Sequence, residues 1–193
     1  AVLAIALGSL GALTESTLAL TTAGLSGLGA AAIHLWLMHR VLKTGMRKRL
    51  GLSFLLIRGA WAMLPVTLLV GMASLYGYAG PNGPTLFGFL LLGGWLLTFL
   101  FGIVQRILPF LASMHVSNTA GRTPPLMSEL ATSAPLKLHA VCHALALSLV
   151  ALSIAVDAVW LTQVGSAVGF IGAISFAWFT ADISRRVFIG RRS

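Results

Sequence analysis

Charge is what this sequence has least of. Asp, Glu, Lys and Arg make up 9% of its 193 residues, where a soluble domain carries roughly 25%. Only four of them are acidic: Glu15, Glu129, Asp157 and Asp182, all between or at the ends of apolar runs. A chain of carboxylates relaying protons through a membrane is therefore not visible. Cysteine is reduced to Cys142, which excludes an intramolecular disulfide and any CxxC motif. Cys142 sits in an apolar run, where a free thiol is ordinarily inert. A phosphate-binding loop, a soluble-cofactor motif and a nucleophile–base arrangement are also missing. No catalytic residue is assigned, and the residues leave open whether the chain is an enzyme.

Apolar sequence fills the space. Hydrophobic residues make up 58% of the chain and the mean hydropathy is +0.94. Several runs approach or exceed the ~18–20 apolar residues that span a bilayer, and in lipid only helices or closed barrels satisfy their own backbone. The pattern predicts an all-α, polytopic transmembrane bundle of about six helices in a single transmembrane domain, 1–193. The helices are expected at about 1–13, 17–42, 52–79, 85–116, 135–156 and 159–183. The turn LTEST offers helix caps, PNGP breaks the chain after the third helix, and 117–134 reads as a polar loop. The first run, AVLAIALGSLGAL, covers only ~20 Å as a helix, short of the ~30 Å hydrocarbon core. It lacks the basic flank of a signal peptide. A longer parent protein, or an incomplete amino end, is the expectation.

The net charge is +9 and the pI about 11.4. Basic patches interleaved with base-stacking aromatics are absent, so nucleic acid is not the expected partner. The charges instead mark helix ends. Arg40, Lys43, Arg47, Lys48 and Arg49 lie between the second and third helices, with Arg58 one to two turns into the third. Arg106, Arg122 and Lys137 flank the loop after the fourth, and Arg185, Arg186, Arg191 and Arg192 follow the sixth. All fall on one side of the alternating topology. The positive-inside rule makes that side, with the C-terminus, cytoplasmic; the expected setting is a bacterial inner membrane. Small residues spaced by four, such as Gly165 and Gly169, suit close helix packing.

Chemistry rests on the five histidines. His34 is six residues from Arg40, hence roughly 9 Å inside the basic end, and His143 has a similar depth. Ionisable residues at such depth point to function, and imidazole is a common ligand for haem iron, copper and zinc. His139 and His143 share one helical face. His34 and His143 are the favoured metal ligands, with His115 and His139 next. The rival for each is a hydrogen bond to a neighbouring helix or, for His115 and His139, a place at the membrane surface. His39 reads as a solvated flank residue. Arg58 and Arg106 either snorkel to headgroups or form an anion site, such as one for haem propionates, with Gln105 adding a hydrogen bond. Pro109 is expected to kink the fourth helix.

The run GFLLLGGWLLTFLFGIVQRILPFLASMH, with Gly94, Trp95, Arg106, Pro109, Phe110 and His115, resembles a segment of membrane proteins similar to haem–copper oxidase subunit I. It is also similar to the NnrS family of haem- and copper-containing membrane proteins. HLWLMHRVLKTGMRKRLGLSFLLIRGAW looks like the helix–loop–helix before it, so the likeness covers about residues 30–145. The resemblance implies a helical bundle holding haem or copper through histidines, His115 most directly and His34 less so. The adjacent His-His, His-x-His and His-x-x-x-x-Tyr patterns of the oxidase centre are missing, so oxygen reduction by this chain alone is not expected. The leading reading is a membrane subunit holding haem or copper, serving electron transfer or assembly in a respiratory-type complex beside other membrane subunits. The main alternative is a cofactor-free structural subunit, packing against partner helices. A transporter, marked by paired broken helices at midplane, is the third; Pro65 is its one sign.

Overall fold

The structure, a computed structural model, describes residues 1–44, 51–120 and 133–189, and the side chains of 1–44, 51–114 and 134–186. The basic residues Arg47, Lys48, Arg49, Arg122, Arg191 and Arg192, together with Glu129, lie outside them. The fold is all-α, with no strand among the described residues. Six helices follow in order: α1 (Val2–Thr14), α2 (Thr17–Thr44), α3 (Leu52–Leu75), α4 (83–120), α5 (Ser133–Val156) and α6 (Val159–Ile189). Five stretches are long and apolar enough to cross a membrane: Thr17–Thr44, Leu52–Leu75, Gly83–Met114, Ala134–Val156 and Val159–Arg186. Their large apolar side chains stand largely exposed, Phe170 and Trp178 among them, as suits helices solvated by lipid. The chain is an integral membrane protein by this measure.

The turns explain the helix ends. Glu15 takes a left-handed conformation at φ 52° and its N–H bonds to Gly11 O, closing α1. Ser16 then caps α2, accepting from Ala19 N at 3.4 Å. The third helix stops at Leu75, short of the expected 79. Gly77 adopts φ 77°, Tyr78 N reaches back to Ala73 O at 2.8 Å and Gly77 N to Ser74 O at 3.1 Å. This is a Schellman cap, which Gly alone adopts without strain. At the other extreme, α6 runs past the expected 183, and Asp182 and Arg186, four residues apart, form an ion pair at 2.8 Å near its end.

Helix α4 is α-helical over Gly83–Phe89, π-helical over Leu90–Leu97 and α-helical again over Thr98–Ala120. The wider turn contains the pair Gly93–Gly94, and Thr98 Oγ1 donates to Gly93 O at 3.0 Å. Pro109 is accommodated within the helix.

Two compact units share these elements. The first takes α1, α2, α3 from Ile57, α4 up to Phe99, and Ile154–Asp157. Within it α1 doubles back on α2, and α2 runs antiparallel to α3. Thr21 bonds the Tyr76 hydroxyl at 2.8 Å, while His34 meets Trp61. The second takes Gly51–Leu56, the rest of α4, most of α5, and α6. Its hydrophobic core gathers Ala112, Leu136, Phe179 and Ile183, with Leu52, Leu108 and Phe176 packed on them. Here α5 and α6 are antiparallel. A Cβ on Gly165 would lie 2.8 Å from Val150, and one on Gly172 3.0 Å from the Cys142 Cβ. The Gly165/Gly169 spacing thus forms a seam of close approach, and Gly172 extends it by one turn.

Candidate functional site

The Gly172 end of that seam carries the polar residues. With no side chain at position 172, α6 comes close enough for its carbonyl to meet an imidazole of α5. Nδ1 of His139 donates to Gly172 O at 3.1 Å. A carbonyl only accepts, so the hydrogen resides on Nδ1, and the neutral ring presents its lone pair at Nε2. His139 is 2% exposed, and its Nε2 has no hydrogen-bond partner. One turn on, the ring of His143 stacks with that of His139 at 5.7 Å between centroids and 19° between planes. It too is buried.

Aromatic rings confine the pair. Phe101 of α4 stands edge-on to His139 at 4.5 Å and to His143 at 5.2 Å. Phe176 of α6 lies 4.9 Å from His139. Ser175, also buried, donates to Pro135 O at 2.7 Å and ties the start of α5 to α6.

Depth follows from α6. Trp160 and Trp178 are strongly exposed. Eighteen residues separate them, which is ~27 Å of helix, close to the ~30 Å hydrocarbon core. Tryptophan favours the two membrane interfaces. Gly172 precedes Trp178 by six residues, so the imidazole bonded to it lies ~9 Å inside the interface on the side of Arg185 and Arg186.

The other expected site residues lie elsewhere. His34 is exposed on α2 and belongs to the first unit; its ring meets Trp61 edge-on at 5.4 Å. His39 is exposed. Arg58 and Arg106 are both exposed and fall in different units. His115 belongs to the last turns of α4, and its side chain lies outside the described residues. Gln105 emerges with a different setting from the anion site expected of it. It is 3% exposed, and neither its Nε2 nor its Oε1 has a partner. A lone amide in an apolar helix was the available signal, because an unpaired polar group in lipid is costly.

Among the described residues no three His, Cys, Asp or Glu side chains converge to hold a metal. The two imidazoles are the nitrogen donors that lie together here. That suits a group needing only one or two protein nitrogens, such as haem, which brings four of its own, or copper held by imidazole. No family model, no curated protein and no solved structure matches the chain.

Proposed function

We propose that this chain is an integral membrane subunit that holds haem or copper at the His139–His143 pair and serves electron transfer or assembly in a respiratory-type complex. The observation that carries this reading is the buried Nε2 of His139, without a partner while Nδ1 is tied to Gly172 O. Metal-ligating histidines characteristically donate their other N–H to a carbonyl or carboxylate, which fixes the ring and its tautomer. His139 therefore replaces His34 as the companion of His143. Haem or copper, when bound, supplies one-electron chemistry. The protein presents Nε2, holds the tautomer through Gly172 and keeps water away with Phe101 and Phe176. The basic helix ends face the cytoplasm by the positive-inside rule, and the exposed apolar faces meet lipid and partner subunits.

The test is an absorbance spectrum and metal analysis of protein purified from cells supplied with haem and copper. Wild type is expected to carry one or the other. His139→Ala is expected to lose it, and His34→Ala to retain it. Absence of both groups from wild type, or full loading in both His139→Ala and His143→Ala, rejects the reading. A cofactor-free structural subunit is the rival, favoured by the close aromatic packing around both imidazoles. Under it, His139→Phe leaves membrane assembly intact and removes nothing from the spectrum.

A further inference from the structure

Six residues of α2 form one stripe along the helix. Leu25, Gly29, Ile33, Trp36, Arg40 and Lys43 succeed one another at intervals of three and four, which keeps them on one face. All six are exposed. The face turned to α3 is marked by Gly24 at Met72, Gly27 at Leu68 and His34 at Trp61. At about 100° per residue the stripe lies on the opposite side of the helix. Its first part is apolar, and a Cβ at Gly29 would meet nothing within 4 Å, so the stripe is notched there. Eleven residues separate Leu25 from Trp36, ~16 Å of helix, which is about one leaflet of the ~30 Å hydrocarbon core.

The second part is cationic. The guanidinium of Arg40 lies over the Trp36 ring, 4.2 Å from its centroid. Helical side chains lean toward the N-terminus, and for this end of α2 the N-terminus lies in the membrane. Arg40 is thus held back at the level of an interfacial tryptophan instead of reaching outward into water. Stacking occupies the face of the guanidinium and leaves its in-plane N–H groups for bidentate bonds. Lys43 adds an ammonium one turn on, and exposed Arg58 of α3, one turn past Trp61, stands at the same end. The described carboxylates of this unit, Glu15 and Asp157, are at its other end. Glu15 precedes α2, and Asp157 follows Ile154, whose carbonyl accepts from Asn82 at 3.1 Å in the turn after α3. The Thr21–Tyr76 bond places that turn beside the start of α2.

We propose that this stripe binds one anionic phospholipid of the leaflet on the basic side. Its phosphate accepts from the in-plane N–H groups of Arg40 and from the Lys43 ammonium. An acyl chain lies along Trp36 and Ile33 into the notch at Gly29. Charge complementarity selects this occupant: a neighbouring apolar helix would bury two cations without an anion, whereas a lipid phosphate meets them at their own depth. The site is independent of haem or copper.

Delipidated protein in a non-ionic detergent is titrated with phosphatidylglycerol or with phosphatidylcholine of the same acyl chains, and bound lipid is counted by native mass spectrometry. Wild type is expected to bind one phosphatidylglycerol about tenfold or more tightly than phosphatidylcholine, two interfacial cations being worth about fivefold each. The double variant Arg40→Gln, Lys43→Gln is expected to bind the two lipids within about twofold of each other. Trp36→Leu is expected to weaken phosphatidylglycerol about two- to fivefold, the loss of the stacked geometry. Arg106→Gln, at an exposed arginine of the other unit, is expected to keep the wild-type preference. Equal binding of the two lipids by wild type overturns the site and returns this face to a partner helix. A preference that survives the double variant, or falls as far in Arg106→Gln, reduces it to overall charge and overturns it as well. Displacement of the lipid by an equal concentration of glycerol phosphate would overturn the lipid as occupant. A thermal melt of each variant separates lost binding from lost folding.

Discussion

Position 172 tolerates no side chain unless Cys142 gives way, and this makes a sharp test of the α5–α6 seam. A Cβ at Gly172 would stand 3.0 Å from Cys142 Cβ and 3.7 Å from both His139 O and His143 N. All three neighbours belong to the α5 backbone or are fixed to it, so relief requires the helices to part by a few tenths of an ångström. Overpacking of this kind costs about 1–3 kcal/mol. The same shift lengthens the His139–Gly172 hydrogen bond from 3.1 Å toward the limit of a useful contact. Gly172→Ala is therefore expected to be less stable than wild type by that amount, measured by unfolding in detergent micelles. The second half of a double-mutant cycle isolates the cause. Cys142→Gly removes the opposing Cβ and should recover about 1 kcal/mol or more of the Gly172→Ala loss, beyond its own helix-propensity cost of about 1 kcal/mol. Cys142→Ala keeps the Cβ and should recover nothing. Equal recovery in both double variants, or a neutral Gly172→Ala, refutes the close approach.

Three further outcomes are expected. In protein without cofactor, Gln105→Leu should be as stable as wild type or more stable by about 1 kcal/mol, since it removes an unpaired buried amide; a clear loss in the melt would mean that Gln105 bonds within the protein. Gly77→Ala should cost about 1 kcal/mol, because φ 77° strains any residue with a Cβ; the unfolding midpoint reads this, and an unchanged midpoint removes the cap from the account of why α3 ends. Cys142, 7% exposed, should resist a maleimide in the folded protein and react once denatured; rapid labelling of the native protein would contradict its burial.

Helix number and position were legible because the apolar runs are long and the breaks are marked. Glu15 and Ser16 sit in a turn rich in capping residues, and Asn82 and Pro84 open α4 where PNGP stands. The end of α3 was misjudged by a few residues because Tyr76 and Tyr78 look like helix continuation, while Gly77 decides the matter through its dihedral angles. The π-helical turn was not foreseen, although Gly93–Gly94 is the pair that permits it. At the site, the shared face of His139 and His143 was readable from their spacing. The facing of His34 was not, because depth along a helix says nothing about which way the residue points, and His34 is exposed. Gln105 was singled out by its polarity but set beside the arginines, and Gly172 escaped, for a related reason. Gly172 acquires meaning only from His139 and Cys142 on another helix, and the burial of Gln105 only from the packing around it.

The two tryptophans of α6 have a mechanical consequence. Eighteen residues are five whole turns at ~3.6 residues each, so Trp160 and Trp178 share one azimuth. Rolling the helix about its axis would drag both rings from their interfaces together. Sliding it would sink one as it lifts the other. A single face thus locks the helix against rotation and translation at once. Helix α5 carries no tryptophan, and the His139 ring is bonded to a carbonyl of the neighbour that carries two. The electrostatic depth of that imidazole is therefore an inherited property, and it would drift with membrane thickness only as far as α6 drifts.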